Sequence, residues 1–407
     1  MRLERSCALA DDAAQYDAMA ATVHAVIDSD RMIDGEYPLY IDRAEGAYLW
    51  DVDGNRYTDF LLAYCTIILG HADPRVTAAV VEEIGSGFAT GLMKPVQAQL
   101  AKRLVEMTPG ADLALFLKTG SDATSAAVRL ARAHTGRDRV VRWGYNGWHD
   151  WCATRPAGIP AATRELTTRF EPDDLDALDH VLRADPGGVA CIVMMPFEVE
   201  PPTWSFLADV RRLADDHGAL LVFDEMRSGF RVGIPGVQGR EAPAADLVTY
   251  GKALANGYAL STLVGRRDVM ERLADCHISS TFYVNSAAMA AALATLDVLE
   301  TTPVLDHIRH LGERLQAGLR DLAGGHGVPA RVRGVPQMPF LTFEHADQEA
   351  RRAAQRAFYT TTIRAGTFFH PNHHWYICGA TTESDIDRAL EASADGFAAI
   401  TRPVVTA

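Results

Sequence analysis

The stretch DLVTYGKALANGYALSTL, residues 246–263, opens on a short apolar run, Leu247–Tyr250, which ends at a glycine with Lys252 immediately after it. The chain then turns through Ala255-Asn256-Gly257-Tyr258. A four-residue apolar run closed by a turn is the pattern of a buried strand, so Lys252 falls at a strand's carboxyl end, where open α/β sheets place their chemistry. The chain has only four lysines, Lys94, Lys102, Lys118 and Lys252, and arginine serves elsewhere as the cation. A lysine at such a place suits amine chemistry, because an amine can lose its proton and attack a carbonyl while a guanidinium cannot. An ordinary surface lysine behind a strand fits this stretch equally well.

Working outward, similar apolar runs occur at Leu113–Leu117, Val140–Trp143, Val189–Met195 and Ala219–Phe223. Segments with helical periodicity lie between them, at Ala123–His134, Leu175–Ala184 and Phe206–His217, and an alanine-rich helix is expected at Ser286–Glu300. This alternation predicts an α/β protein with a mainly parallel sheet covered by helices on both faces. On the amino-terminal side, residues 1–35 read as a polar helical lead-in. Pro38–Ile41 and Tyr48–Trp50 read as strands around the hairpin turn Asp51–Gly54, and helices are expected at Val76–Ile84 and Pro95–Met107. The tail reads as helix, strand (Gln337–Phe343), helix, strand (Trp375–Cys378) and a last helix at Ser384–Ile400. The expected division is an N-terminal segment with a small antiparallel unit (1–70), a large domain (71–300) and a smaller α+β domain (301–407).

The net charge of −14 argues against nucleic-acid and membrane-surface partners, which select basic faces. Six scattered cysteines without a CxxC pair fit neither a disulfide framework nor a zinc site. The acidic N-terminus MRLERSCALADDAAQ and the lack of a long apolar run predict a cytoplasmic protein.

Four features then fall at the ends of expected strands. Lys118-Thr119-Gly120-Ser121-Asp122 opens a helix, and free N–H groups beside a glycine and a hydroxyl suit a phosphate, although a plain cap reads the same way. Gly144-Tyr145-Asn146-Gly147-Trp148 puts aromatics on a glycine-rich loop, as stacking on a flat ring requires; a packed loop is the competing reading. Asp224 ends an apolar strand, where a carboxylate needs a cationic partner such as a protonated heteroaromatic nitrogen or a salt-bridging side chain. Lys252 follows. Phosphate loop, stacking aromatic, acid and lysine together match what pyridoxal phosphate needs: an anchored phosphate, a sandwiched ring, a protonated pyridine nitrogen and a Schiff-base amine.

With Gly46–Asp59 (GAYLWDVDGNRYTD), Thr119–Arg132 (TGSDATSAAVRLAR), Phe223–Gly233 (FDEMRSGFRVG) and Gly251–Gly257 (GKALANG), the chain resembles the class III pyridoxal-phosphate aminotransferases of fold type I. Within that class it is most similar to the glutamate-1-semialdehyde aminomutase-like branch. The resemblance implies a seven-stranded sheet in the large domain and a small domain built from both chain ends. It implies Lys252 as the Schiff-base lysine and Asp224 as the partner of the pyridine nitrogen. Gly120 and Ser121 are implied for the phosphate with Asp122 supporting that loop, Tyr145 for one ring face and Met226 for the other. Thr281 matches a threonine that reaches the neighbouring subunit's phosphate, hence a homodimer with shared active sites. Tyr64, Thr66, Trp148 and His374 are candidate substrate contacts.

The departures fall on the substrate side. Asn146 replaces the usual histidine, Met195-Pro196 replaces Glu-Pro, and Ala153–Phe170 is shorter than the gate of the aminomutases. Arg31 and Arg43 flank, without matching, the aminomutases' carboxylate-binding arginine. These differences favour transfer between an amino-acid donor and a ketone or aldehyde acceptor in specialised metabolism. An aminomutase, a racemase or a decarboxylase on the same cofactor remains the alternative, as does a non-catalytic relative.

Overall fold

The computed structural model describes residues 3–13, 15, 37, 40–171, 174–201, 203–238 and 242–401. The chain divides into two compact units, Met1–Asp73 with Pro303–Ala407, and Pro74–Thr302. Of the helical lead-in, Glu4–Ala13 is helical; residues 16–35, with Arg31 among them, and Pro38 beyond lie outside the described residues.

In the first unit, β1 (Ile41–Glu45), β2 (Tyr48–Asp51) and β3 (Arg56–Asp59) form an antiparallel meander. The Asp51 carboxylate holds the β2–β3 turn by accepting from the Asp53 and Asn55 N–H groups and from the Tyr57 hydroxyl at 2.7 Å. The tail differs from expectation in two places. Gln337–Phe343 pairs only over Phe340–Phe343, and Trp375–Cys378 is extended but joins no ladder; the strand beside β3 is Thr367–Phe368. Apolar Trp375–Cys378 reads as a strand because it is fully buried, yet its backbone bonds go singly to separate segments, such as Tyr376 N–H to Phe60 O at 2.7 Å.

In the second unit the expected runs become β4 (Leu113–Leu117), β5 (Arg139–Trp143), β7 (Val189–Met194), β8 (Leu220–Asp224) and β9 (Leu247–Tyr250). Two short strands not foreseen complete the sheet, β6 (Thr167–Arg169) and β10 (Ser261–Gly265). The order is β4-β10-β9-β8-β7-β5-β6, with β10 antiparallel to both neighbours and the other pairs parallel. The carboxyl ends of β4, β5, β8 and β9 therefore share one edge. β6 falls inside Ala153–Phe170, so that segment ends in a short edge strand preceded by a helical turn, Ala161–Arg164.

Helix Gly120–Thr135 packs on one face through Ala123, Ala126, Ala127, Leu130 and Ala131, whose small side chains let it approach Val140, Val193 and Val222 closely. On the other face Trp143 meets Phe206 of helix Trp204–His217, ring centroids 6.2 Å apart. Helix Ser286–Thr301, lined by five buried alanines, packs against the turn that carries Lys252. The six cysteines are free. Among the described residues no single helix is long and apolar enough to cross a membrane.

Candidate active site

At the end of β4, Thr119 caps helix Gly120–Thr135. Its hydroxyl accepts from Asp122 N–H at 3.2 Å, and the Asp122 carboxylate accepts from Thr119 N–H at 2.8 Å. The helix thus begins three residues before the expected Ala123, because the capping box is Thr119/Asp122. That leaves the N–H groups of Gly120 and Ser121 in the first turn, without intrahelical acceptors and at the positive end of a 16-residue helix. Ser261 at the start of β10 braces the cap by donating to Thr119 O at 2.7 Å. Its role was not read from the sequence, since β10 was not.

The aromatic loop is fastened to this helix. Trp148 N–H donates to Ser121 Oγ at 3.2 Å, and Thr124 Oγ1 donates to Asn146 O at 2.7 Å. Gly147 has φ +115°, and a Cβ there would lie 2.5 Å from Ser121 Oγ and 3.0 Å from Ser121 Cα. Gly147→Ala is therefore expected to push the loop off the helix. It should destabilise the apo-protein by about 2 kcal/mol and weaken cofactor uptake, read by apo melting and by titration with pyridoxal phosphate. Tyr145 and Trp148 themselves are 59% and 69% exposed, so the loop presents both rings instead of packing them away.

At the end of β8 the Asp224 carboxylate is buried. It accepts from Asn146 Nδ2 at 3.0 Å, and from Met226 N–H and Thr249 Oγ1 at 3.2 Å each. No basic side chain forms an ion pair with it among the described residues, which removes the salt-bridge reading. Burial pushes its pKa up; the Asn146 and Met226 bonds, the charge of Lys252 and the Thr249 bond pull it back. Met226 packs where glycines make room: a Cβ on Gly120 or Gly251 would come within 3.2 Å or 2.7 Å of its sulfur.

The neighbouring Glu225 is also fully buried, bonded by the Ser228 hydroxyl and Gln238 N–H, and burial pushes its pKa up to about 7. Its native pKa lies above the ordinary 4.5, so the native state holds a proton the unfolded chain has lost. Stability is greatest below about pH 4.5 on this account and falls as pH rises through about 7, by roughly 3 kcal/mol. Glu225→Gln should flatten that fall, seen as a smaller difference in urea midpoint between pH 5 and pH 8 for the apo-protein.

At the end of β9, Lys252 opens a short 3₁₀ turn, Lys252–Ala255, with φ +47°, a left-handed conformation that a lysine adopts only under constraint. Lys94 meets Glu83, Lys102 meets Glu106 at 3.7 Å, and Lys118 Nζ reaches Ala259 O at 3.5 Å. Lys252, half-buried, has neither a hydrogen bond nor an ion pair among the described residues.

The other expected residues are carried by other segments of the chain. Thr281 is exposed on a turn beside Phe282, and no described hydrogen bond ties it to the phosphate loop. Tyr64, Thr66 and His374 belong to the first unit. There Leu62–Cys65 all have positive φ, from +47° to +70°. The Asp59 carboxylate anchors this left-handed turn, accepting from Leu61 and Leu62 N–H at 2.8 and 3.0 Å and meeting His71 Nε2 at 2.8 Å. The turn presents Tyr64 edge-on to His370 and His373, at 6.0 and 5.1 Å, while Thr66 Oγ1 donates to Ala63 O and His374 lies against Phe340. Among the described residues no group of three His, Cys, Asp or Glu side chains is placed to hold a metal ion. Arg43 lies 3.6 Å over the Trp50 ring and pairs with Glu45.

The family model for class III aminotransferases matches residues 32–152 and 173–378, well over half of the chain. The chain belongs to the class III aminotransferases. It is 38% identical to a 3-aminobutyryl-CoA aminotransferase of Cloacimonas acidaminovorans over 98% of both chains. It is 35% identical to a glutamate-1-semialdehyde 2,1-aminomutase of Methanothrix thermoacetophila, over 88% of this chain and 89% of that one. Its fold superposes with a TM-score of 0.92 on the FumI protein of Sphingopyxis, solved in its PLP internal aldimine form, at 31% identity over 97% and 96% of the two chains. The fold is that of these pyridoxal-phosphate enzymes, and the cofactor of this aminotransferase is pyridoxal phosphate.

The sheet edge of this aminotransferase fits that group. It offers free N–H groups at a helix start for a phosphate and a buried carboxylate with no basic partner for a protonated ring nitrogen. Met226, seated against two glycines, offers an apolar contact for a ring face, and Lys252 offers an amine free of other bonds.

Proposed function

We propose that Lys252 and Asp224 carry out amino transfer from an amino-acid donor to a ketone or aldehyde acceptor. Gly120 and Ser121 hold the cofactor's phosphate, with Asp122 fixing their loop, and Tyr145 and Met226 flank its ring. When bound, pyridoxal phosphate supplies an electron sink for charge released at the amine-bearing carbon. Asp224 keeps the ring nitrogen protonated, and its burial makes that charge pairing strong. Lys252 Nζ would hold the cofactor's aldehyde, and its amine would be the base that takes the proton from the donor's amine-bearing carbon. In the second half it returns one to the corresponding carbon of the acceptor. The observation that carries this reading is Lys252, without a hydrogen bond or ion pair among the described residues, at the same sheet edge as Asp224, which has no ion pair among them.

Transfer between two substrates is favoured over rearrangement within one. The segment where aminomutases carry their gate holds here a helical turn and a three-residue edge strand, and Met195 puts a buried thioether against Gly144 where the family commonly has a glutamate. The altered residues also support a place in specialised metabolism, and Tyr64, Thr66, Trp148 and His374 as substrate contacts. The 3-aminobutyryl-CoA relative makes amines on the carbon β to an acyl group the first donors to screen. A homodimer, with Thr281 serving the neighbouring phosphate, is supported by the exposure of Leu92, Met93 and Phe282, at 77%, 73% and 61%. The charge of −14 fits a cytoplasmic protein with small-molecule partners.

The test is a single half-reaction. Holoenzyme mixed with one donor and no acceptor should convert to the pyridoxamine form and release one carbonyl product per site. An aminomutase would instead convert glutamate-1-semialdehyde to an isomeric amino ketone, with no net loss of amino nitrogen from the substrate. Loss of chirality or of a carboxylate with no pyridoxamine form would overturn transamination. A mass in solution equal to one chain would overturn the dimer.

A further inference from the structure

Asn146 stands where the resemblance leads one to expect a histidine, and its surroundings show what the amide does. It is 2% exposed, on a loop that Gly144 (φ +84°) and Gly147 (φ +115°) bend sharply on either side. Its backbone oxygen accepts from Thr124 Oγ1 at 2.7 Å and from the Cys152 thiol at 3.6 Å, so the main chain is pinned without help from the side chain. Nδ2 donates to Asp224 Oδ2 at 3.0 Å, while Oδ1 is buried with no partner. An asparagine kept for structure satisfies both ends of its amide, because a buried unpaired carbonyl is costly. Here one end is left unsatisfied, and what the amide achieves is the contact with Asp224.

The rest of the carboxylate's shell is of the same kind. Met226 N–H and Thr249 Oγ1, both at 3.2 Å, occupy Oδ1, so Oδ2 accepts a single bond and keeps a lone pair for another donor. The charged or titratable groups that face Asp224 are Glu225 beside it, Cys152 behind the Asn146 loop and Lys252. None of the three hydrogen-bonds to it.

We propose that Asn146 is a positioning residue for Asp224. Its amide fixes Oδ2, and with it the direction in which the carboxylate meets the pyridine nitrogen, through a donor whose charge is the same at every working pH. A histidine here would also donate, but its charge would change near neutrality and carry the carboxylate with it. The proposal rests on the reading of Asp224 as the partner of that nitrogen.

The test compares wild type with Asn146→Ala, Asn146→Asp and Asn146→His. Each is stripped of cofactor, checked by apo melting, and titrated with pyridoxal phosphate while visible absorbance is followed from about pH 5.5 to about pH 9. The alanine and aspartate variants should bind the cofactor about tenfold or more weakly. The deficit of the aspartate variant should grow with pH, because its new carboxylate faces Asp224. The histidine variant should bind close to wild type, and its spectrum should gain one titration near about pH 6.5 that wild type lacks. The proposal is overturned if alanine and aspartate variants bind as wild type does, or if the histidine variant gains no titration. A loss confined to the alanine variant and matched by a lower apo melting temperature overturns it as well. Each of these three failures leaves the aminotransferase reading intact. A wild type that gains no visible absorbance with pyridoxal phosphate removes that reading, and the proposal with it.

Discussion

Lys252→Ala should lower amino transfer by about 10³-fold or more, the size of effect expected when a positioned proton-transfer group is removed. The variant should also lose the visible absorbance of lysine-bound cofactor. Lys252→Arg separates amine from charge. It keeps a cation at the end of β9, but a guanidinium neither condenses with an aldehyde nor gives up its proton near neutrality. The arginine variant should therefore be as inactive as the alanine variant. Rates within tenfold of wild type for either would move the chemistry away from this lysine. Lys94 and Lys102 already pair with carboxylates, and Lys118 Nζ lies at a carbonyl. The strained φ at Lys252 adds a second readout: Lys252→Gly relieves the left-handed conformation and should raise the apo melting temperature while abolishing activity.

Asp224→Asn should cost about 10² to 10³ in kcat/KM, the range for removing a preorganised charge from a buried catalytic site. The substitution keeps the shape, and the carbonyl of the new amide can still accept from Asn146. What disappears is the anion that holds the ring nitrogen protonated. Cofactor uptake by Lys252 should persist, so visible absorbance remains while turnover falls. A variant that turns over near the wild-type rate would show that the ring nitrogen needs no anionic partner. Because Asp224 is buried and, among the described residues, accepts from the neutral donors Asn146, Met226 and Thr249 without an ion pair, its charge is left for the ring.

The alternation of apolar runs and helical segments from Leu113 to Tyr250 was legible in the sequence, because buried parallel strands are written as unbroken apolar stretches. So were the rare lysine and the acid, each at the close of such a stretch. The order and direction of the strands were not, since they depend on which edges pair. β10, short and rich in small residues, reads as part of a loop until it lies antiparallel between β4 and β9. Only that insertion brings the carboxyl ends of β4 and β9 to one edge and lets Ser261 brace the helix start at Gly120. The neighbours of Asp224 show the same limit. A sequence names Asn146 and Thr249 but does not bring residues 78 and 25 positions distant onto one carboxylate. The sequence by itself determined the family and its cofactor, and it pointed to the strand ends proposed to bear the chemistry. The tertiary structure decided which partners those groups have, leaving Lys252 and Asp224 without an ion pair among the described residues, because pairing of charge and burial are settled only when distant segments pack.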